Sequence, residues 1–199
     1  MATYRLDAIN RCLDAIGESP VNSHKSGVPD AEDASRVIDR ITKEVLEPGW
    51  VVNTVVKTLS PDLDGVIKIP PNVIKVDTVG RDKRLAVTVR NDTDGIDKLF
   101  AIKDQSFIFT APVLTEVVYY FDIDGLPFPL QNYIAAKSAR VFQESSMGSV
   151  ALDSFTVRQE KEALAMLQDY EAEQEDSNVL TDSAYMRIVT GRNNPLARM

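Results

Sequence analysis

Pro48-Gly49-Trp50-Val51-Val52-Asn53-Thr54-Val55-Val56 is the point at which this chain of 199 residues changes character. Pro48 and Gly49 close a helical pattern, because proline cannot continue a helix and glycine accepts the left-handed conformation that often follows one. Beyond Trp50 the β-branched valines and threonine favour an extended strand. Helices lie upstream of this junction and strands downstream, and the fold is read outward from it.

Immediately upstream, Ala34, Val37, Ile38, Ile41 and Val45 form the apolar stripe of an amphipathic helix, with Asp30 as its N-cap and Asp33 three residues on. A polar loop over residues 22–29 separates it from an earlier helix. There Leu6, Ile9, Leu13 and Ile16 share one face, and Arg5, Asp7, Asn10, Arg11 and Asp14 take the other. Gly17-Glu18-Ser19-Pro20-Val21 ends that helix sharply, with Gly17 suited to a left-handed cap.

Downstream, seven short runs separated by turn clusters read as strands: 51–59, 66–69, 73–79, 85–89, 99–102, 106–110 and 116–121. The intervals are too short for crossover helices, so the pairing is antiparallel. At Leu126-Pro127-Phe128-Pro129 the helical period returns. Leu130, Ile134, Val141 and Phe142 mark one face, and Ala135, Ala136, Ser138 and Ala139 permit close helix approach. A fourth helix is expected over 154–175, with Val157, Leu164, Leu167 and Tyr170 as its stripe.

Four amphipathic stripes are buried most simply as a bundle. The expected class is α+β: a four-helix bundle (1–49 and 127–176), an antiparallel β domain (50–126) inserted between helices two and three, and an extended C-terminal arm (177–199). In that arrangement the first and last helices meet.

Composition narrows the function. With 44% hydrophobic and 26% charged residues the chain is an ordinary globular protein. No apolar run approaches the roughly 20 residues of a membrane span, and no apolar signal-peptide core follows Met1-Ala2-Thr3-Tyr4-Arg5, so a cytosolic site of synthesis is expected. Cys12 is the lone cysteine, three residues after Ile9, and reads as a small core residue. A net charge of -8 disfavours a broad grip on nucleic acid, which requires clustered cations. An acidic wall still suits a conduit past which nucleic acid slides.

The end of the chain reverses this charge. The helix over 154–175 is rich in Asp and Glu, whereas after Asp182 the only charged side chains are Arg187, Arg192 and Arg198. With Tyr185 among them, these are the expected partner-binding residues of an arm that orders on a neighbouring chain.

Motifs for chemistry are sparse. Asp-x-Asp-Gly occurs at 62–65, 92–95 and 122–125. A calcium loop also needs an acidic or amide residue two positions earlier and Glu six after the glycine. The earlier positions hold Ser60, Arg90 and Tyr120 and the later ones Pro71, Ala101 and Gln131, so these are read as turns. His24 is the only histidine and lies in a polar loop, and no glycine-rich phosphate loop occurs. No metal or cofactor is expected. For an enzyme the candidates are Glu144, Glu160 and Glu162, as paired carboxylates of a polysaccharide or peptidoglycan hydrolase. Loss of turnover in a Glu-to-Gln scan would favour that alternative.

In order and spacing, Ile16-Gly17-Glu18-Ser19-Pro20-Val21, the Ala-rich helix running into Gly49-Trp50, the β insertion, and Leu126-Pro127 opening a helix with Ala135-Ala136-Lys137-Ser138-Ala139-Arg140 resemble the tail tubular protein A family of T7-like short-tailed phages. The resemblance runs from about Leu6 to Tyr170. It implies a structural virion protein, made in the host cytoplasm and located in the tail. It also implies a dodecameric head-to-tail adaptor ring between the portal protein and the tail nozzle (tail tubular protein B), with DNA passing through the channel without sequence-specific binding. No membrane is involved.

Overall fold

A computed structural model describes residues 3–23, 25–92, 94–146 and 150–182, with the side chains of the last helix described over 155–174. The protein is mixed α+β. Among the described residues four α-helices, α1 (Tyr4–Ile16), α2 (Pro29–Leu46), α3 (Phe128–Ser146) and α4 (Val150–Asp182), accompany five strands. The strands are β1 (Thr54–Leu59), β2 (Val73–Thr78), β3 (Val87–Asn91), β4 (Asp97–Ala101) and β5 (Val113–Tyr119).

Helix boundaries follow from local chemistry. At the start of α1 the Thr3 hydroxyl accepts from Leu6 N–H. At its end Gly17 adopts φ 79, with Gly17 N–H donating to Asp14 O and Glu18 N–H to Leu13 O, the paired bonds of a Schellman cap. Helix α2 starts earlier than expected. Its N-cap is Val28 and Pro29 is the first helical residue, where a missing N–H costs nothing; Asp30 lies inside the first turn and complements the helix dipole there. Helix α4 is longer than expected at both ends, so residues 177–182, assigned from sequence to the arm, continue the helix. The rest of the arm, 183–199, lies outside the described residues.

The α3 helix touches each of the other three. Ala135, Ala136 and Ala139 are buried along it, and their small size lets the neighbouring backbones approach. Ile9, Leu13, Ile38, Leu46, Leu130, Ile134 and Leu167 form one buried cluster with Ile123 and Leu126. Helix α4 contributes Ala163 and Leu167 and leans chiefly on α3. It reaches α1 through Arg11 Nη2, which donates to Gln159 Oε1 at 3.5 Å.

The strands make two antiparallel sheets, ordered β1-β5-β2 and β3-β4. In the first, pairing runs from Thr54 opposite Val118 to Leu59 opposite Val113, and β2 pairs with the other side of β5, with a register shift between Val73 and Lys75. Ile67, Ile69, Val76, Leu99, Phe109, Val113 and Val117 make a second buried cluster among them. Two expected strands, 66–69 and 106–110, form only isolated bridges, Val66 with Ile108, Lys68 with Lys98 and Ala101 with Ser106. The first is cut short by Pro70-Pro71, which lack N–H donors, and the second follows a tight turn with Gln105 at φ 49. Strand β1 begins at Thr54 because residues 51–53 form a turn.

Candidate functional site

The three carboxylates expected to serve a hydrolase are held by arginines. Arg140 on α3 lies between Glu144 on the same helix and Glu160 on α4, donating from Nη1 to the first and from Nε to the second. The hydrogen bond to Glu160, above all, raises the guanidinium pKa above its ordinary value, against the opposing effect of burial. This arrangement ties α3 to α4. Glu162 is on the exposed face of α4, paired with Arg158 one turn earlier at 2.9 Å. Glu144 and Glu160 are therefore brought together by one cation, and Glu162 stands apart from them.

The Asp-Gly segments are turns. Asp62 Oδ1 accepts from the N–H groups of Asp64 and Val66, and Gly65 sits at φ 78. Lys98 Nζ spans Asp92 and Asp94 at 3.1 and 2.7 Å. The third segment has a further duty. Asp122 accepts from Arg5 Nη2 at 3.0 Å, Asp124 accepts from Arg5 N, and the same guanidinium reaches Asp39 on α2 at 2.5 Å. Arg5 thereby joins α1, α2 and the turn before α3. Burial works against its charge, but the hydrogen bonds and fields of Asp39 and Asp122 prevail, and its pKa lies above the ordinary value. Among the described residues no cluster of His, Cys, Asp and Glu is placed to hold a metal ion, and no helix is long and apolar enough to cross a membrane. His24, Tyr185, Arg187, Arg192 and Arg198 lie outside the described residues.

The joint between helices and sheet is organised by Asn53, which is 1% exposed. Its Oδ1 accepts from Trp50 N at 2.7 Å, and its Nδ2 donates to Leu46 O and Tyr119 O at 3.1 and 2.9 Å. Trp50 Nε1 donates to Val45 O, and Glu171 on α4 accepts from Val51 N at 2.6 Å. Gly49 is required here. Its φ is 90, and a Cβ would fall 2.8 Å from Thr54 Oγ1 and 3.2 Å from Val118 Cγ2. The end of α2, the start of β1 and Glu171 of α4 are thus bound at one place.

Large apolar side chains project from separate elements around this frame. Val55 and Val56 are exposed on β1, Val56 by 58%. On the helices Tyr4 and Phe128 flank a groove of about 150 Å³ between α1 and α3, floored by Ala8 and Ala135, while Phe155 and Met166 protrude from α4.

The family described as tail tubular protein matches residues 6–177. The chain belongs to the tail tubular protein family. It is similar to tail tubular protein A of Klebsiella phage KP34, with 32% identity over 130 residues, 65% of this chain; the match spans 66% of that relative's length. A member of the tail tubular family is a structural protein of the phage virion tail.

Within this tail tubular fold, the sequence analysis missed Asn53 and Arg140 as organising residues. The signal at Asn53 was a polar residue interrupting Val51-Val52 and Thr54-Val55-Val56. For Arg140 the nearby Glu144 was visible at one-turn spacing, but Glu160 came from another helix.

Proposed function

We propose that the protein is a ring-forming adaptor that joins the portal to the tail nozzle and lets DNA pass through its channel. The observation that carries this reading is the presence of exposed apolar side chains on different elements, Val55 and Val56 on β1 against Phe128, Phe155 and Met166 on α3 and α4. A ring built head-to-tail needs two different surfaces per subunit, whereas a two-fold dimer needs one self-complementary surface. The helical part, 1–49 and 127–176, forms the packed frame, and the β part, 50–126, supplies a second face for neighbours. A net charge of -8 suits a wall past which DNA slides without being held.

In this reading the protein is made in the host cytoplasm and joins the tail as twelve copies. Tyr185, Arg187, Arg192 and Arg198 bind acidic surfaces of the portal or of the adjacent subunit. The deciding experiment measures particle mass by native mass spectrometry, with and without purified portal. A ring-sized species that forms on the portal and binds nozzle protein supports the adaptor. A chain that stays monomeric with both partners present would rule it out.

A further inference from the structure

The β1-β5-β2 sheet has two edges of unequal character. At one edge, β2 carries a register shift between Val73 and Lys75 and lies beside β3, features that discourage further pairing. At the other, β1 has neither bulge nor proline. Its single cation, Lys57, is engaged with the Tyr119 hydroxyl. Tyr119 N–H donates to Asn53 O at 2.8 Å, so every second residue from Asn53, namely Val55, Lys57 and Leu59, turns its backbone toward β5. Thr54, Val56 and Thr58 turn theirs outward, and among the described residues no strand pairs with them. Val55 lies opposite the buried Val117, at the margin of the second core, and Val56 lies opposite Glu116 on the other face. An unguarded edge with exposed valines on both faces is a template for one more strand.

The sequence contains a segment of matching chemistry. Past the end of α4, Tyr185-Met186-Arg187-Ile188-Val189-Thr190 has the length of β1, is rich in aromatic and β-branched residues, and is closed by Gly191. As a strand it would set Met186 and Ile188 on one face and Tyr185, Arg187 and Val189 on the other. The first face suits the apolar margin at Val55 and Leu59, and the second places Arg187 on the side of Glu116.

We infer that residues 185–190 of one subunit add as a strand to the outer edge of β1 in a neighbouring copy. The inference rests on the adaptor reading for its second copy, and it names the receiving surface and the mode of contact. Backbone hydrogen bonds to Thr54, Val56 and Thr58 supply the attachment, and the side chains set the register.

Full-length chains carrying Val56→Cys are mixed with full-length chains carrying Val189→Cys, which the proposed strand sets on the same face, oxidised mildly in the presence of portal, and run without reductant, while mass spectrometry follows ring assembly in the same samples. The native Cys12 is buried and does not compete. A mixed disulfide dimer is the expected product. Adding Val56→Pro to the Val189→Cys partner leaves the pairing intact, whereas Val56→Pro in the receiving chain, with the cysteine moved to Thr58 on the same face, removes an outward N–H at a place where an edge strand tolerates proline. That change should cut the cross-linked product about fivefold, as for one lost backbone hydrogen bond. Rings that form without mixed disulfide overturn the inference and leave the adaptor reading standing. Cross-linking confined within single chains carrying both cysteines also overturns it, since the arm would then cover its own edge. Cross-linking insensitive to the proline shows proximity without strand pairing and overturns the mode. Absence of both ring and disulfide overturns both readings.

Discussion

Asn53 holds the helix-to-strand joint with three hydrogen bonds made by one buried amide. Replacing it by alanine strands Leu46 O, Tyr119 O and Trp50 N together, and a loss of about 2 to 4 kcal/mol is expected because unsatisfied buried groups retain their desolvation cost. Urea unfolding of Asn53→Ala measures it, and a change below about 0.5 kcal/mol would contradict the role. Cys12 behaves as an apolar residue. Burial, opposed weakly by Arg11, pushes its thiol from an ordinary 9.0 to about 12. Above pH 9 the unfolded thiol ionises while the folded one holds its proton, so its contribution to stability is present below pH 9 and is lost as pH rises toward about 12. Cys12→Ala should flatten the alkaline limb of the stability profile over that window. In the native protein iodoacetamide should leave Cys12 unmodified at pH 8 and label it fully in urea, as read by mass spectrometry.

Among the helices, α4 shows the fewest buried side chains over its described stretch, 155–174. Ala163 and Leu167 are buried beneath it, and Arg140 with Glu160, Gln143 with Thr156, and Val51 with Glu171 supply polar ties. Leu167→Ala should cost about 2 to 4 kcal/mol, the usual range for a buried leucine, and the loss should fall first on α4. Hydrogen exchange is the check: amides of α4 should lose protection before those of α1 and α3, and uniform loss would show α4 unfolding only with the whole. The start and stop of α1 were legible in its own residues, because a left-handed glycine cap is a local device. Strands 66–69 and 106–110 were not, because forming a ladder depends on partners that local composition does not name. The α2 start was misplaced by one residue type: aspartate makes a good cap, but Pro29 at the first helical position takes precedence through its fixed φ.

Across the whole molecule, charge is distributed so that attraction between copies is available. The described body carries most of the acidic residues and the segment after Asp182 carries only arginines. If that segment secures assembly, removing residues 183–199 should weaken ring formation on the portal while leaving the unfolding midpoint of the monomer unchanged. Assembly should also weaken as salt is raised from about 0.05 to 0.5 M, since opposite charges at a rim are screened within a Debye length of about 10 Å at 0.1 M. Analytical ultracentrifugation with portal present tests both, and assembly indifferent to truncation would remove the arm from the account. The candidate carboxylates illustrate how far sequence carries a site. Their abundance was visible, but that Glu144 and Glu160 share Arg140 and Glu162 does not depended on how α4 lies on α3.

The sequence by itself determined the helical stripes, the sharp ends at Gly17 and Gly49, the change to strands after Trp50 and the family resemblance, because each is written in neighbours along the chain within reach of one turn or one period. Only the tertiary structure decided that α3 is the helix all others touch, that Asn53 and Arg140 fasten elements distant in sequence, and that β1 lies at an unguarded edge. Those outcomes are set by which surfaces bury one another, and burial is a property of the packed chain that no short window of residues contains.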